Sequence, residues 1–111
     1  MRTIPEKDWK QMRSLKARVL DDACARIVTS VESIVQKREG RNHEAYLELW
    51  DLLHKEDDKI AAMFDDLKRS TAFFKLAAWQ IHGLVSDSDL ALFTEETQGA
   101  VKAINKYARE R

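Results

Sequence analysis

One heptad register runs through the middle of the chain, where apolar residues recur at alternating intervals of four and three. Alternation of this kind keeps one stripe of an α-helix turned toward a partner helix. Neither Gly nor Pro occurs between residues 41 and 82, so the pattern predicts a long helix from about residue 42 to about residue 82. The register positions are Tyr46, Trp50, Leu53, Asp57, Ile60, Phe64, Leu67, Thr71, Phe74, Ala78 and Ile81.

A first long helix is predicted from about residue 5 to about residue 38. Thr3 can cap its start, with Pro5 in the first turn and Glu6 three residues after the cap. Gly40 suits the position just past its end. Because only residues 39–41 remain for the loop, the two long helices are predicted to be antiparallel neighbours. A heptad stripe on the first helix comprises Ala17, Leu20, Cys24, Ile27, Val31 and Ile34.

The second helix is interrupted by six polar residues at positions 54–59, and Asp57 falls on the heptad seam. Either the helix breaks there and an aspartate caps a new one, or it continues through one polar layer. No typical turn residue marks a break and the register survives, so continuity is favoured. Residues 68–71 are a weaker candidate for a bend.

Gly83 ends the long segment, and short helices are predicted at about 87–93 and 95–109. The acids Glu95 and Glu96 open the last helix and Arg109 lies near its end, which suits the helix dipole. The sequence thus predicts an all-α fold in a single domain, residues 1–111. Its architecture is an antiparallel helical hairpin or bundle with long helices at about 5–38 and 42–82 and short C-terminal helices.

Charge is balanced overall, with 19 basic and 19 acidic residues, but it is unevenly distributed. Residues 1–41 carry ten basic and six acidic side chains, whereas residues 42–67 carry two and eight. Pairing of the two long helices is the simplest explanation. The lone Cys24 and the absence of an apolar leader or a run of about 20 apolar residues predict a cytoplasmic protein without a membrane span.

Helix length bears on the oligomeric state. A first helix of roughly 34 residues would be about 51 Å long, whereas a compact chain of this size is about 34 Å across. The apolar arc over residues 45–53 is also wider than one packing face needs. A homodimer is predicted, although burial by the C-terminal helices would explain the arc equally well. The predicted interface residues are Tyr46, Leu49, Trp50, Leu53, Phe64 and Phe73.

Two other kinds of chemistry are possible. An acidic band could hold a divalent metal through Asp51, His54, Asp57 and Asp58, although the Glu-x-x-His spacing of bundle carboxylate sites does not occur. The first half of helix 1 is basic and could contact nucleic acid through Lys7, Lys10, Arg13, Lys16 and Arg18. Cys24 is predicted to be a buried thiol, and no motif indicates catalysis or a cofactor.

The function predicted from sequence is that of a small soluble helical protein with an interaction or regulatory role. It is expected to associate with itself through helix faces, with a further protein partner possible and no enzymatic activity. The first alternative is a metal-binding bundle that uses Asp51 and His54. The second is nucleic-acid binding through the basic N-terminal helix, although the balanced net charge counts against a nucleic-acid partner.

Overall fold

A computed structural model describes residues 3–110, which form an elongated molecule of 54 × 30 × 24 Å. The described residues form helices and connecting turns without a strand, and the two long helices pack against each other. The predicted all-α class and the helical hairpin are therefore confirmed. The helices are α1 (Glu6–Gln36), α2 (Asn42–Phe64), α3 (Ala72–Ile81), α4 (Asp87–Leu90) and α5 (Glu95–Glu110).

The second long helix is continuous through residues 54–59, as predicted, but it ends at Phe64 rather than near residue 82. The chain turns at Asp66, whose φ of 57° is left-handed, a conformation that aspartate adopts more readily than most residues. Thr71 closes the turn, because its hydroxyl donates to the Asp66 carbonyl at 2.7 Å and accepts from the Lys68 N–H at 3.1 Å. The chain therefore bends at the weaker predicted candidate, near residues 68–71, and not within residues 54–59.

Side chains of α3 satisfy the carbonyl groups that α2 leaves free at its C-terminal end. The Lys75 ammonium donates to the Ala62 carbonyl at 2.7 Å, and the Trp79 indole N–H donates to the Met63 carbonyl at 3.1 Å. Terminal carbonyls need such partners once no further helical turn follows. These bonds hold α3 folded back against the end of α2.

The turn also changes which residues of α3 are buried. In a straight helix Phe74 and Ile81 would continue the heptad stripe, but both are exposed. Leu76 and Trp79 are fully buried instead, and Phe73 packs partly buried against the core. The core brings together Ile4, Trp9, Met12, Val19, Ala23, Met63, Phe64, Ala72, Leu76, Ala77, Trp79, Leu84, Val85, Leu90, Phe93 and Val101.

Burial on α1 is confined to its first two-thirds. Trp9, Met12, Val19 and Ala23 are buried there, and the prediction of a buried Cys24 is wrong, because its side chain is exposed. α1 packs on α3 as well as on α2, and the neighbouring Ala23 is buried in place of Cys24. The molecule therefore has a body, in which α3, α4 and α5 cover the start of α1 and the end of α2, and an arm formed by residues 24–59.

A buried carboxylate joins the start of α1 to the start of α5. Asp8 is fully buried, and it accepts hydrogen bonds from the Thr94 N–H at 3.0 Å, the Thr94 hydroxyl at 2.6 Å and the Thr97 hydroxyl. A negative charge there is also favoured by the dipole of α5. These bonds join residues that lie 86 or more positions apart in sequence, and they hold the start of α5 against the start of α1.

An exposed ion pair fastens the α2–α3 turn to α1. The Arg69 guanidinium donates two hydrogen bonds to Glu6, each of 3.0 Å, and it lies 5.5 Å from the centroid of the Trp9 ring. The bonds from Arg69 hold the pKa of Glu6 below its ordinary value. Paired geometry of this kind is the favourable form of a surface ion pair.

We expect Glu6→Gln to lower the melting temperature at neutral pH and to have less effect in acid. Because the pKa of Glu6 is lowered in the folded protein, its contribution is complete above the unfolded-state pKa and is lost as pH falls through the lowered value. Melting curves of both proteins between neutral and strongly acidic pH test this. A difference between the two proteins that grows on acidification would contradict the assigned role of the pair.

Candidate interaction surface on α2

The arm consists of two helices only, so each has a large surface that no other part of the described chain covers. Between residues 24 and 36 the inward-facing apolar residues of α1, Ile27, Val31 and Ile34, are only half-buried. Ala45 is the single fully buried residue of α2 before Met63. Most helix stability in proteins comes from packing of an apolar face, and the arm contains little fully buried apolar surface.

Six side chains of α2 line a shallow groove along the arm, which we call the aromatic groove. Its residues repeat at helical spacing and are mostly apolar, with one imidazole and one carboxylate toward its C-terminal end. Positions separated by three or four residues share one helix face, which is why these side chains come together. The lining residues are Tyr46, Leu49, Trp50, Leu53, His54 and Asp57.

Contacts between aromatic rings run along the groove from one end to the other. The Tyr46 and Trp50 rings meet edge to face at 6.5 Å between centroids, and the Trp50 and His54 rings stack at 4.9 Å. His43 stacks on Tyr46 at 6.5 Å, just outside the groove. His54 is fixed further by its Nδ1 atom, 3.0 Å from the Trp50 carbonyl oxygen. The aromatic side chains thus form a continuous row on the helix surface.

The groove exposes large apolar side chains to solvent. Tyr46 is 55% exposed, Trp50 51% and Leu53 49%. For side chains of this size, half exposure leaves on the order of 100 Å² apiece. Together they expose roughly 300 Å², which is comparable to the largest apolar patch on a typical monomeric protein, a patch that is often functional. Val28 and Val35, on α1 of the same arm, are exposed as well.

Four of the six predicted interface residues line this groove, namely Tyr46, Leu49, Trp50 and Leu53. The other two do not lie on it. Phe64 is buried in the core, with its ring 5.5 Å from that of Trp79, and Phe73 is half-buried against the same core. The turn after Phe64 places both residues against the core of the body.

The four predicted metal ligands lie on exposed or groove-lining positions of α2. His54 and Asp57 line the aromatic groove, whereas Asp51 and Asp58 are exposed elsewhere on the helix. Among residues 3–110, no three His, Cys, Asp or Glu side chains come together in a group that could hold a metal ion. The structure therefore adds no support to the metal-binding alternative.

The basic residues of α1 are all exposed, but they do not form one continuous stripe. From Lys7 to Lys16 they follow one another at intervals of three, which moves each about 60° around the helix. Arg18 is also paired, with Asp22 at 3.4 Å and Asp89 at 3.0 Å. These side chains are therefore not gathered on a single face of the helix.

The ring contacts of His43 and His54 are not among the predictions from sequence. Rings at positions 43, 46, 50 and 54 follow one another at intervals of three or four residues, a spacing that lets them stack along a helix. Arg26 was not predicted to have a role either, and its guanidinium donates to the His82 and Gly83 carbonyls at 2.6 and 2.9 Å. That contact covers the end of α3 and has a structural role.

Across residues 3–110, none of the helices is both long and apolar enough to cross a membrane. No protein-family model matches the sequence, and comparison with curated proteins and with solved structures finds no match either.

Proposed function

We propose that this protein is a helical interaction module that associates with a second copy of itself through the aromatic groove of α2. The observation that carries the proposal is the row of half-exposed residues, Tyr46, Trp50 and Leu53, on an arm of only two helices. A second hairpin laid on this face would complete a four-helix bundle, in which each helix has neighbours on two sides.

The composition of the groove supports this proposal over that of a polar ligand site. Tyr and Trp are enriched at the centres of protein interfaces and dominate their energetics. Trp50 lies in the middle of the groove, with Tyr46 and Leu53 on either side of it along the helix. A regulatory role would follow if association changed what the rest of the surface can contact.

A cytoplasmic setting is part of the same proposal. Cys24 is an exposed thiol and the chain has no second cysteine to pair with it. Exposed free thiols persist in reducing compartments and are oxidised outside them. The proposal does not depend on this setting, because the groove would be equally apolar in any aqueous compartment.

Substitution of Trp50 and Leu53 by serine tests the proposal. We expect the double variant to raise the dissociation constant of the dimer by at least about 100-fold, because it removes the central apolar anchors of the interface. Sedimentation equilibrium over a range of protein concentrations measures this constant. Circular dichroism establishes that the variant keeps its helices.

Leu92→Ser is the matched control, since Leu92 is 59% exposed on the body of the molecule. It should leave the dissociation constant within about twofold of the wild-type value. Equal weakening by both variants would show that association is non-specific. An unchanged dissociation constant in the Trp50 and Leu53 double variant would contradict association through the aromatic groove.

A further inference from the structure

The side chains along the aromatic groove are arranged almost symmetrically about Trp50. His43 precedes Trp50 by seven residues and Asp57 follows it by seven, while Tyr46 and His54 lie four residues on either side. In a two-fold interface, a residue of one copy meets a second residue of the other, and the reverse contact occurs as well. An antiparallel pair of α2 helices centred on Trp50 would therefore place His43 opposite Asp57 and Tyr46 opposite His54.

Charge favours this direction over the parallel one. Asp57 is the single acidic residue among those that line the groove, and the exposed His43 ring lies beyond its opposite end, against Tyr46. Parallel helices in register would place the two Asp57 carboxylates against each other, and juxtaposed like charges disfavour an interface. Antiparallel helices place each carboxylate beside an imidazole.

The shape of the molecule favours the same direction. The body lies at the end of the arm where α1 begins and α2 ends. Antiparallel arms carry the two bodies toward opposite ends of the dimer. Parallel arms would bring both bodies to the same end, so that α3, α4 and α5 of each copy would have to fit side by side.

We propose that two copies pack α2 against α2 in the antiparallel direction, about a two-fold axis at Trp50, with Asp57 of each copy beside His43 of the other. This inference rests on the proposed self-association and adds its direction and register. It identifies the recognition chemistry as a self-complementary row of aromatic rings that carries an imidazole at one end and a carboxylate at the other.

Cross-linking between single-cysteine variants tests the direction. In a Cys24→Ser background, a short bismaleimide should link His43→Cys to Asp57→Cys when the two proteins are mixed. Neither variant should link to itself. In the antiparallel register the two copies of residue 43, or of residue 57, are displaced by 14 residues, which corresponds to about 21 Å along the helix. Efficient self-linking of Asp57→Cys, without the mixed product, would overturn the antiparallel arrangement while leaving self-association intact.

Neutralisation of the carboxylate gives an independent test without cross-linking. We expect Asp57→Asn to raise the dissociation constant about tenfold, because it removes the partner of His43. Asp58→Asn is the matched control, since Asp58 is exposed but does not line the groove, and it should have an effect within about twofold. Tighter association of Asp57→Asn would indicate parallel helices and overturn the inference. A wild-type protein that stays monomeric would overturn both this inference and the proposed function.

Discussion

Replacement of Trp79 by alanine is expected to lower the free energy of unfolding by about 4 kcal/mol. The Trp79 side chain is fully buried, and it joins α3 to the end of α2 through its contact with Phe64 and its hydrogen bond to the Met63 carbonyl. Alanine would leave a large cavity and a terminal carbonyl without its donor, and both effects destabilise.

Urea unfolding followed by circular dichroism measures the change in Trp79→Ala. Trp50→Ala is the matched control, because it makes the same chemical change at a half-exposed position of α2. At protein concentrations low enough to keep the chain monomeric, the control should cost less than about 1 kcal/mol. Similar costs for both variants would contradict the packing described for α3.

Trp79→Phe separates the two contributions to this effect. Phenylalanine retains much of the ring volume but cannot donate to the Met63 carbonyl. We expect an intermediate loss of about 1–3 kcal/mol, which includes the cost of a buried acceptor left without a partner. A loss as large as that of Trp79→Ala would assign the effect to the indole hydrogen bond rather than to the volume of the ring.

Replacement of Asp8 by alanine is expected to lower the free energy of unfolding by about 3 kcal/mol. The carboxylate accepts three hydrogen bonds from Thr94 and Thr97 in a fully buried position. Its removal leaves two hydroxyl groups and a backbone N–H with fewer partners at the start of α5, and charge-assisted bonds are stronger than neutral ones. The loss should appear in urea unfolding and in hydrogen exchange of the first turn of α5.

Asp21→Ala is the control for Asp8→Ala, because Asp21 is an exposed aspartate on the same helix. It should change the free energy of unfolding by no more than about 0.5 kcal/mol. Asp8→Asn should be less damaging than Asp8→Ala, since an amide oxygen can still accept one of the three bonds. If Asp8→Ala proved as stable as wild type, the carboxylate would not be the link between α1 and α5.

The hairpin could be predicted because its signals are local. Gly40, the short loop and the uninterrupted spacing on both sides of it concern residues close together in sequence. Continuity through residues 54–59 follows in the same way, since six polar residues are acceptable on an arm that leaves most of α2 exposed. Even the charged Asp57 is accommodated there, because it lies at the open groove rather than in a dry seam.

The sequence predicts the turn after Phe64 only as the weaker of two candidate bends, because much of its stability comes from residues distant in sequence. No Gly, Pro or Asn lies between Phe64 and Ala72, and the heptad register runs through it. The chain turns there because Lys75 and Trp79 satisfy the end of α2 and because Arg69 reaches Glu6, 63 residues away. None of these contacts can be recognised from the spacing of apolar residues along the sequence.

The candidate site was predicted in part for the same reason. Tyr46, Leu49, Trp50 and Leu53 precede the turn, so their common face follows from helix periodicity alone. Phe64 and Phe73 flank the turn, and their burial depends on how α3 folds back. The buried Asp8 was not recognised, because its partners are 86 and 89 residues away in sequence.

The mass of the wild-type protein in solution, measured by sedimentation equilibrium as a function of concentration, tests self-association through the arm most directly. The chain has a mass of 12.9 kDa. Self-association through the aromatic groove predicts that the mass rises toward twice this value as the concentration increases, and that it reaches a plateau there because a two-fold interface is closed. A mass that stays at 12.9 kDa at all concentrations would contradict the proposal.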